Sequence, residues 1–180
     1  MNPSTGHVFW LFGLSGAGKT TLAGTLADAL RAAGRPVLAL DGDALRAGLC
    51  QGLGFSDADR AENLRRAAEA ARLGADSGLC VVAAFITPRE AHRAAVARIV
   101  GRDRISWIHV DAPLDVCRRR DAKGLYARAD AGQVAQMTGL TSAFEPPTSA
   151  DFVVSTAVEK VTVSSARLLE FARARLGAAR

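Results

Sequence analysis

The chain has 180 residues, 49% of them hydrophobic and 23% charged, which suits one domain of ordinary size and leaves no room for a second catalytic one. It contains no run of 18 apolar residues and no basic-then-apolar leader after Met1, so the expectation is a cytoplasmic protein without membrane contact. The net charge of +5 favours anionic partners, but the basic residues are scattered and form no block with interleaved aromatics, which argues for small polyphosphates and against nucleic acid.

Residues 1–6 read as a short tail and 7–180 as a single domain. An apolar run at 7–12 predicts a buried strand, followed by a helix over 19–33 that Gly34 and Pro36 terminate. The next strand falls at 37–40, a long helix at 57–76 stopped by Gly78, and a third strand at 79–86. A helix at 89–100, a strand at 105–110, a helix at 113–120, a strand at 152–154 and a helix at 158–176 complete the alternation. Such an order predicts an α/β fold of the P-loop kinase type, with a five-stranded, mostly parallel sheet and helices on both faces. Between them, residues 121–150 are rich in Gly, Thr, Ser and Pro and weakly periodic, too long for an ordinary connection, and are expected to form a mobile flap over the site. Cys50, Cys80 and Cys117 are odd in number and include no C-x-x-C, which speaks against a disulfide framework or a zinc site.

The run Gly13-Leu14-Ser15-Gly16-Ala17-Gly18-Lys19-Thr20 matches G-x-x-x-x-G-K-[ST] and sits between the first strand and the first helix, as phosphate binding requires. Its glycines let consecutive N–H groups curl around phosphate oxygens at the positive end of a helix. Lys19 lies along the β and γ oxygens, and Thr20, followed by Thr21, offers a hydroxyl to Mg²⁺. The expected cofactors are therefore ATP and Mg²⁺. A guanine-specific switch protein would need N-K-x-D, which is absent.

The second strand ends in Leu40-Asp41-Gly42-Asp43, followed by Ala44-Leu45-Arg46. This places two carboxylates and a cation at the carboxyl edge of the sheet, where an acceptor hydroxyl meets the γ-phosphate. Asp43 can orient or deprotonate that hydroxyl and hold Mg²⁺ through water, and Arg46 can neutralise an anionic acceptor; Asp41 suits a turn or a helix cap equally well. Next, Phe55 precedes a Ser56 cap, and Arg60 and Asn63 lie three apart on one helical face. Together they offer a ring to stack on, a cation for an anion and an amide for a base or ribose.

These segments resemble one family, the adenylyl-sulfate (APS) kinases. The resemblance rests on Gly-Leu-Ser-Gly-Ala-Gly-Lys-Thr-Thr, Asp-Gly-Asp-x-x-Arg and Gly-Phe-Ser-x-x-Asp-Arg-x-Glu-Asn-x-x-Arg-Arg. It continues through Phe85-Ile86-Thr87-Pro88, Val110-Asp111-Ala112-Pro113-Leu114-x-Val116-Cys117, Arg120-Asp121-x-Lys123-Gly124-Leu125-Tyr126 and Thr138-Gly139-Leu140. It implies transfer of the ATP γ-phosphate to the ribose 3′-hydroxyl of adenosine 5′-phosphosulfate (APS), giving 3′-phosphoadenosine 5′-phosphosulfate in sulfate activation. By the same resemblance, Asp43, Arg46, Phe55, Arg60, Asn63, Ile86, Thr87, Lys123, Leu125, Met137 and Thr138 meet APS, while Gly13 to Thr21 bind ATP. Arg120 and Thr156 would lie near the ATP adenine, and the assembly would be a homodimer served by a separate ATP sulfurylase. Ala44, Ala47, Cys50, Gln51 and Gly52 depart from the family pattern. Met137 stands where a second aromatic usually completes the stack on the APS adenine. Thr87 replaces a serine that some members phosphorylate, and direct in-line transfer is the simpler reading. Two alternatives stay open: a related kinase with another nucleotide-like acceptor, such as a cytidine diphosphoramidate, and a non-catalytic nucleotide-binding partner of a sulfurylase.

Overall fold

Parallel strands cannot be joined by a tight turn, so each apolar run in this chain is separated from the next by a helical crossover. In the computed structural model, which describes residues 6–121, 124–133 and 136–177, the strands are β1 (Val8–Phe12), β2 (Val37–Asp41), β3 (Cys80–Ala84), β4 (Ile105–Asp111) and β5 (Phe152–Ser155). They form one sheet in the order β2-β3-β1-β4-β5 with every pairing parallel, so the sheet is wholly and not mostly parallel. The helices are α1 (Lys19–Ala32), α2 (Gly42–Ala47), α3 (Asp57–Asp76), α4 (Glu90–Val100), α5 (Leu114–Arg120), α6 (Leu125–Asp130) and α7 (Val161–Leu176).

The two-residue period of a strand divides the core into two layers. Phe9 and Leu11 of β1 face Leu22, Leu26 and Leu30 of α1 and Leu168 of α7. Val8, Trp10 and Phe12 face the opposite layer, with Leu64, Ala67 and Ala71 of α3 and Val96 of α4. All five residues of β1 are inaccessible to solvent, which is why that run is apolar throughout and not alternating. Among the described residues no helix is long and apolar enough to cross a membrane.

Helix ends follow the punctuation in the sequence. Ser56 caps α3 by accepting from the Asp59 N–H at 3.1 Å. At its other end the left-handed Gly78 lets Leu79 N–H return to the Gly74 carbonyl at 3.0 Å. Helix α7 starts three residues later than the apolar pattern suggests, because Val158 and Glu159 turn back to donate to the Ser155 carbonyl. Two short helices, α2 and α6, escape periodicity altogether, being six residues each.

Helix α6 occupies part of the segment expected as a flap. Beyond it, the N–H groups of Leu140, Thr141 and Ser142 converge on the Met137 carbonyl at 3.0–3.1 Å, making a tight turn. Gly139 within that turn lies so close to Leu14 and Leu114 that a Cβ would come within 3.0 Å of the Leu14 side chain.

The inner face of α3 is a seam of alanines, with Ala67, Ala68, Ala71 and Ala75 wholly buried against the sheet and α4. Small side chains there let the helix approach closely. Ala71→Leu is expected to lower unfolding free energy by about 1–3 kcal/mol through overpacking, whereas Leu73→Ala, at an exposed position of the same helix, should change it by less than about 0.5 kcal/mol; urea unfolding of the two variants measures both.

Candidate active site

The carboxyl ends of β1, β2 and β3 open onto a cavity of about 600 Å³, within the range of small-molecule sites. Its floor is the loop leaving β1. Gly13, at φ 150°, lies so close to β4 that a Cβ would sit 2.3 Å from the Val110 carbonyl oxygen. Gly18 takes a left-handed conformation at the start of α1, which begins with no side-chain cap and no acid in its first turn. The positive end of that helix therefore faces the cavity uncompensated, ready for an anion. Lys19 folds across the loop and donates to the Leu14 carbonyl at 2.7 Å.

Asp41 at the end of β2 ties two elements together. Its Oδ2 accepts from the Thr20 hydroxyl and its Oδ1 from the Asp43 N–H, each at 2.9 Å, so it caps α2 and orients the Thr20 side chain. The cap half of this role was legible in the sequence; the bond to Thr20 was not. Asp43 and Arg46 follow on α2, on the cavity wall.

Opposite the loop stands a wall built from α2, the start of α3 and the end of β3. Arg46 donates to the carbonyls of Leu53 and Gly54 at 3.1 and 2.8 Å, and its guanidinium lies 4.4 Å from the centre of the Phe55 ring. Arg60 lies 5.7 Å from the same ring. Phe55 thus remains 53% exposed, yet two cations hold it in place. Arg60 is buried and donates to the Phe55 carbonyl at 2.8 Å, the Thr138 hydroxyl at 2.9 Å and the Gln136 carbonyl at 2.8 Å. Burial first, then the neighbouring Arg46 charge, lowers its pKa. Among the described residues, every hydrogen bond of Arg46 and Arg60 goes to a neutral oxygen, so both charges favour an arriving anion.

Asn63, one turn along α3, is buried in the same wall, and its Oδ1 has no hydrogen-bond partner among the described residues. A buried polar atom left unsatisfied in a cavity wall is open to a hydrogen bond from a ligand or water. Beside it, Thr87 has φ 43°, a left-handed conformation that costs a β-branched residue on the order of 1–3 kcal/mol. Its hydroxyl accepts from the buried Trp10 indole at 2.9 Å.

The mouth of the cavity is braced by residues near its rim. Arg120 donates to the Gly16 carbonyl at 3.3 Å and to the hydroxyl and carbonyl of Thr156 at 3.1 and 2.6 Å; the Thr156 hydroxyl donates in turn to the Ala17 carbonyl at 2.8 Å. The Tyr126 hydroxyl donates to the Ser15 carbonyl at 3.0 Å, and burial pushes its pKa up to about 12. Asp121 accepts from the N–H groups of Tyr126 and Ala127, both at 3.0 Å, which hold its carboxyl below its ordinary value. Tyr126 lies in a family motif, but its place beneath the phosphate loop has no local signature in the sequence beyond being the chain's lone tyrosine in a polar segment.

Of the sequence-predicted residues, Ser15 through Thr21, Asp43, Arg46, Phe55, Arg60, Asn63, Ile86, Thr87, Arg120, Leu125 and Thr156 line one cavity. Gly13 and Leu14 lie beneath it and shape the loop. Thr138 stands behind the wall as a partner of Arg60. Met137 was expected against a purine, but its side chain is buried in the core layer of α1 and α7, because the Thr141 hydroxyl accepts its N–H at 2.8 Å and Arg60 anchors the residues on either side. Lys123 lies outside the described residues.

Residues 5–155 match the family model described as adenylylsulphate kinase. An adenylyl-sulfate kinase of Paraburkholderia xenovorans is 48% identical over 169 residues, 94% of each chain. The structure of the Mycobacterium tuberculosis APS kinase in complex with AMPPNP and APS superposes with a TM-score of 0.89 at 39% identity, over 95% of this chain and 99% of that one. A hexameric APS kinase from Thiobacillus denitrificans gives a TM-score of 0.71 at 26% identity, over 96% of this chain and 29% of that one. With its phosphate loop and acceptor wall meeting in one cavity, and with relatives this near over almost its whole length, the chain belongs to the adenylylsulphate kinase family.

Proposed function

We propose that the chain transfers the γ-phosphate of ATP to the ribose 3′-hydroxyl of APS, leaving ADP and 3′-phosphoadenosine 5′-phosphosulfate. The observation that carries this reading is the acceptor wall: an exposed ring held by two guanidinium groups, next to a buried amide oxygen without a partner, facing a phosphate-binding loop across one cavity. Phe55 offers a face for the adenine, Arg46 and Arg60 attract the phosphosulfate, and Asn63 bonds the nucleoside. These are the features of a purine nucleotide bearing an extra anion.

ATP places its phosphates over residues 15–20, with the α1 N-terminus and Lys19 on the β and γ oxygens, and its base near Arg120 and Thr156. The hard oxygen donors Thr20, Asp41 and Asp43 suit Mg²⁺, which binds through a few protein oxygens, water and substrate phosphates. When bound with ATP, Mg²⁺ supplies charge neutralisation on the transferring phosphoryl group. Asp43 receives the proton of the 3′-hydroxyl or orients that hydroxyl, while Lys19 stabilises charge spreading over the phosphoryl oxygens. No covalent enzyme intermediate is required, since in-line transfer needs only positioning and charge stabilisation, and the Thr87 hydroxyl accepts the Trp10 indole N–H. By family resemblance the working assembly is a homodimer in the cytoplasm, supplied with APS by a separate sulfurylase.

Incubated with Mg·ATP, the chain should release ADP only when APS is added, and mass analysis should identify 3′-phosphoadenosine 5′-phosphosulfate; ATP binding without APS-dependent ADP would point to a different acceptor. Lys19→Ala should lower kcat by about a thousandfold or more, and survival of activity within tenfold would remove Lys19 from the mechanism. Asn63→Ala should lower kcat/KM for APS by about 10- to 100-fold through loss of a buried hydrogen bond while KM for ATP stays within twofold; equal damage to both substrates would mean the amide serves folding and not recognition. Tyr126→Phe, which frees the Ser15 carbonyl, should raise KM for ATP by about threefold to tenfold with KM for APS unchanged.

A further inference from the structure

Arg93 takes no part in the phosphate loop or the acceptor wall, yet it is only 5% exposed and its side chain makes several bonds. From α4 its Nη1 donates to the Thr87 carbonyl at 3.2 Å and its Nη2 to the Glu145 carbonyl at 3.1 Å, while Nε bonds the Glu90 carboxylate at 2.9 Å. Its guanidinium lies 5.3 Å from the centre of the Phe12 ring, at the end of β1. Glu145 closes the knot from the other side: its carboxylate accepts from the Glu90 N–H at 2.7 Å and its N–H donates to the Pro88 carbonyl at 2.8 Å.

Two consequences follow from that arrangement. Thr87, in a conformation a threonine rarely adopts, is held at its hydroxyl by Trp10 and at its carbonyl by Arg93; such a conformation persists only where its surroundings over-determine it. The segment 136–145 is fastened at both ends by buried arginines, Arg60 of α3 at Gln136 and Thr138 and Arg93 of α4 at Glu145. Arg60 belongs to the acceptor wall and Arg93 holds Thr87, which belongs to it too. The planar fork of arginine suits the bridging of several oxygens at once, which lysine cannot do.

We propose that Arg93 is a positioning residue for the phosphoryl acceptor, locking the Thr87 loop and the 136–145 strap into one unit so that the acceptor wall is set before substrate arrives. The inference rests on APS being the acceptor. Its loss acts on the acceptor and spares ATP, because among the described residues the side-chain hydrogen bonds to the carbonyls of the phosphate loop come from Lys19, Arg120, Tyr126 and Thr156 and none from Arg93.

The test is steady-state kinetics of the full chain with Mg·ATP and APS, alongside circular dichroism and thermal melts, for Arg93→Gln, Arg93→Lys and Glu145→Ala. Arg93→Gln should lower kcat/KM for APS by about 30- to 300-fold and leave KM for ATP within twofold. Arg93→Lys should recover less than a third of the loss on a logarithmic scale. Glu145→Ala, at an exposed site that leaves the fold intact, should lower kcat/KM for APS by about threefold to tenfold, again sparing ATP. A folded Arg93→Gln with APS kinetics within threefold of the parent, or with ATP and APS equally damaged, overturns the proposal. If Arg93→Gln does not fold, Arg93→Lys decides: APS kinetics within threefold of the parent overturn the proposal, and a loss confined to APS supports it. Failure of the unaltered chain to use APS sinks the functional reading instead.

Discussion

Parallel pairing of β1 with both β3 and β4 is the constraint on which the rest of the molecule depends. Because the strands all run one way, every chain segment leaves the sheet at the same edge, and the phosphate-binding and catalytic residues sit within a few positions of a strand's carboxyl end, while the helices that follow bring Phe55, Arg60, Asn63 and Arg120 to the same edge. The phosphate loop follows Phe12, Asp41 ends β2, Ile86 and Thr87 follow β3, and Thr156 follows β5. The register is tight: Gly13 passes beneath the Val110 carbonyl where no Cβ fits, and its N–H donates to the Ile86 carbonyl at 3.3 Å. The same pairing that builds the core therefore brings the phosphate loop against the start of the acceptor loop.

What the sheet brings together, arginine braces. Arg46, Arg60, Arg93 and Arg120 come from four different helices, and each donates to backbone carbonyls of a loop at the site. A guanidinium can do this because its five donors lie in one plane and its charge spreads widely, so it tolerates burial against neutral oxygens better than an ammonium. Surface charges tell a different story: Arg65 and Arg66 on the half-buried Glu62, or the exposed Arg119 on Asp115, are helical neighbours near the surface, and pairs of that kind add little to stability.

The architecture was readable wherever a single local rule decides the structure. Five apolar runs became five strands, and the helix from 57 to 76 appeared at those bounds because Ser56 and Gly78 state its ends. The phosphate loop was legible for the same reason, its glycines and Lys19 being consecutive. Illegible features depend on residues far apart in the chain. Helices α2 and α6 are too short for periodicity to show, and α6 is secured by Asp121 and by a tyrosine that reaches back 111 residues to Ser15. The Arg60 side chain that resembled a ligand contact in sequence is also a structural tie to Gln136 and Thr138, 76 and 78 residues away. Arg93 and Glu145 gave no signal in sequence, since their meaning arises only where α4 packs beside the strap.

The departures from the family pattern take on meaning once their positions are known. Ala44, Ala47 and Gln51 are exposed on or just after α2 and line no part of the cavity. At Gly52 a Cβ would meet nothing within 4 Å, and Cys50 is buried with its thiol toward the Asn63 carbonyl. Arg46, two residues after Ala44 and one before Ala47, faces inward and keeps both its carbonyl partners and its ring contact. Variation at the outer face of a short helix is thus separated from the inner face that meets substrate. Met137 differs in kind, because its side chain fills core volume beneath the strap. A flexible thioether suits that irregular gap, and the aromatic face presented to the cavity is left to Phe55, steadied by two cations in place of a second ring.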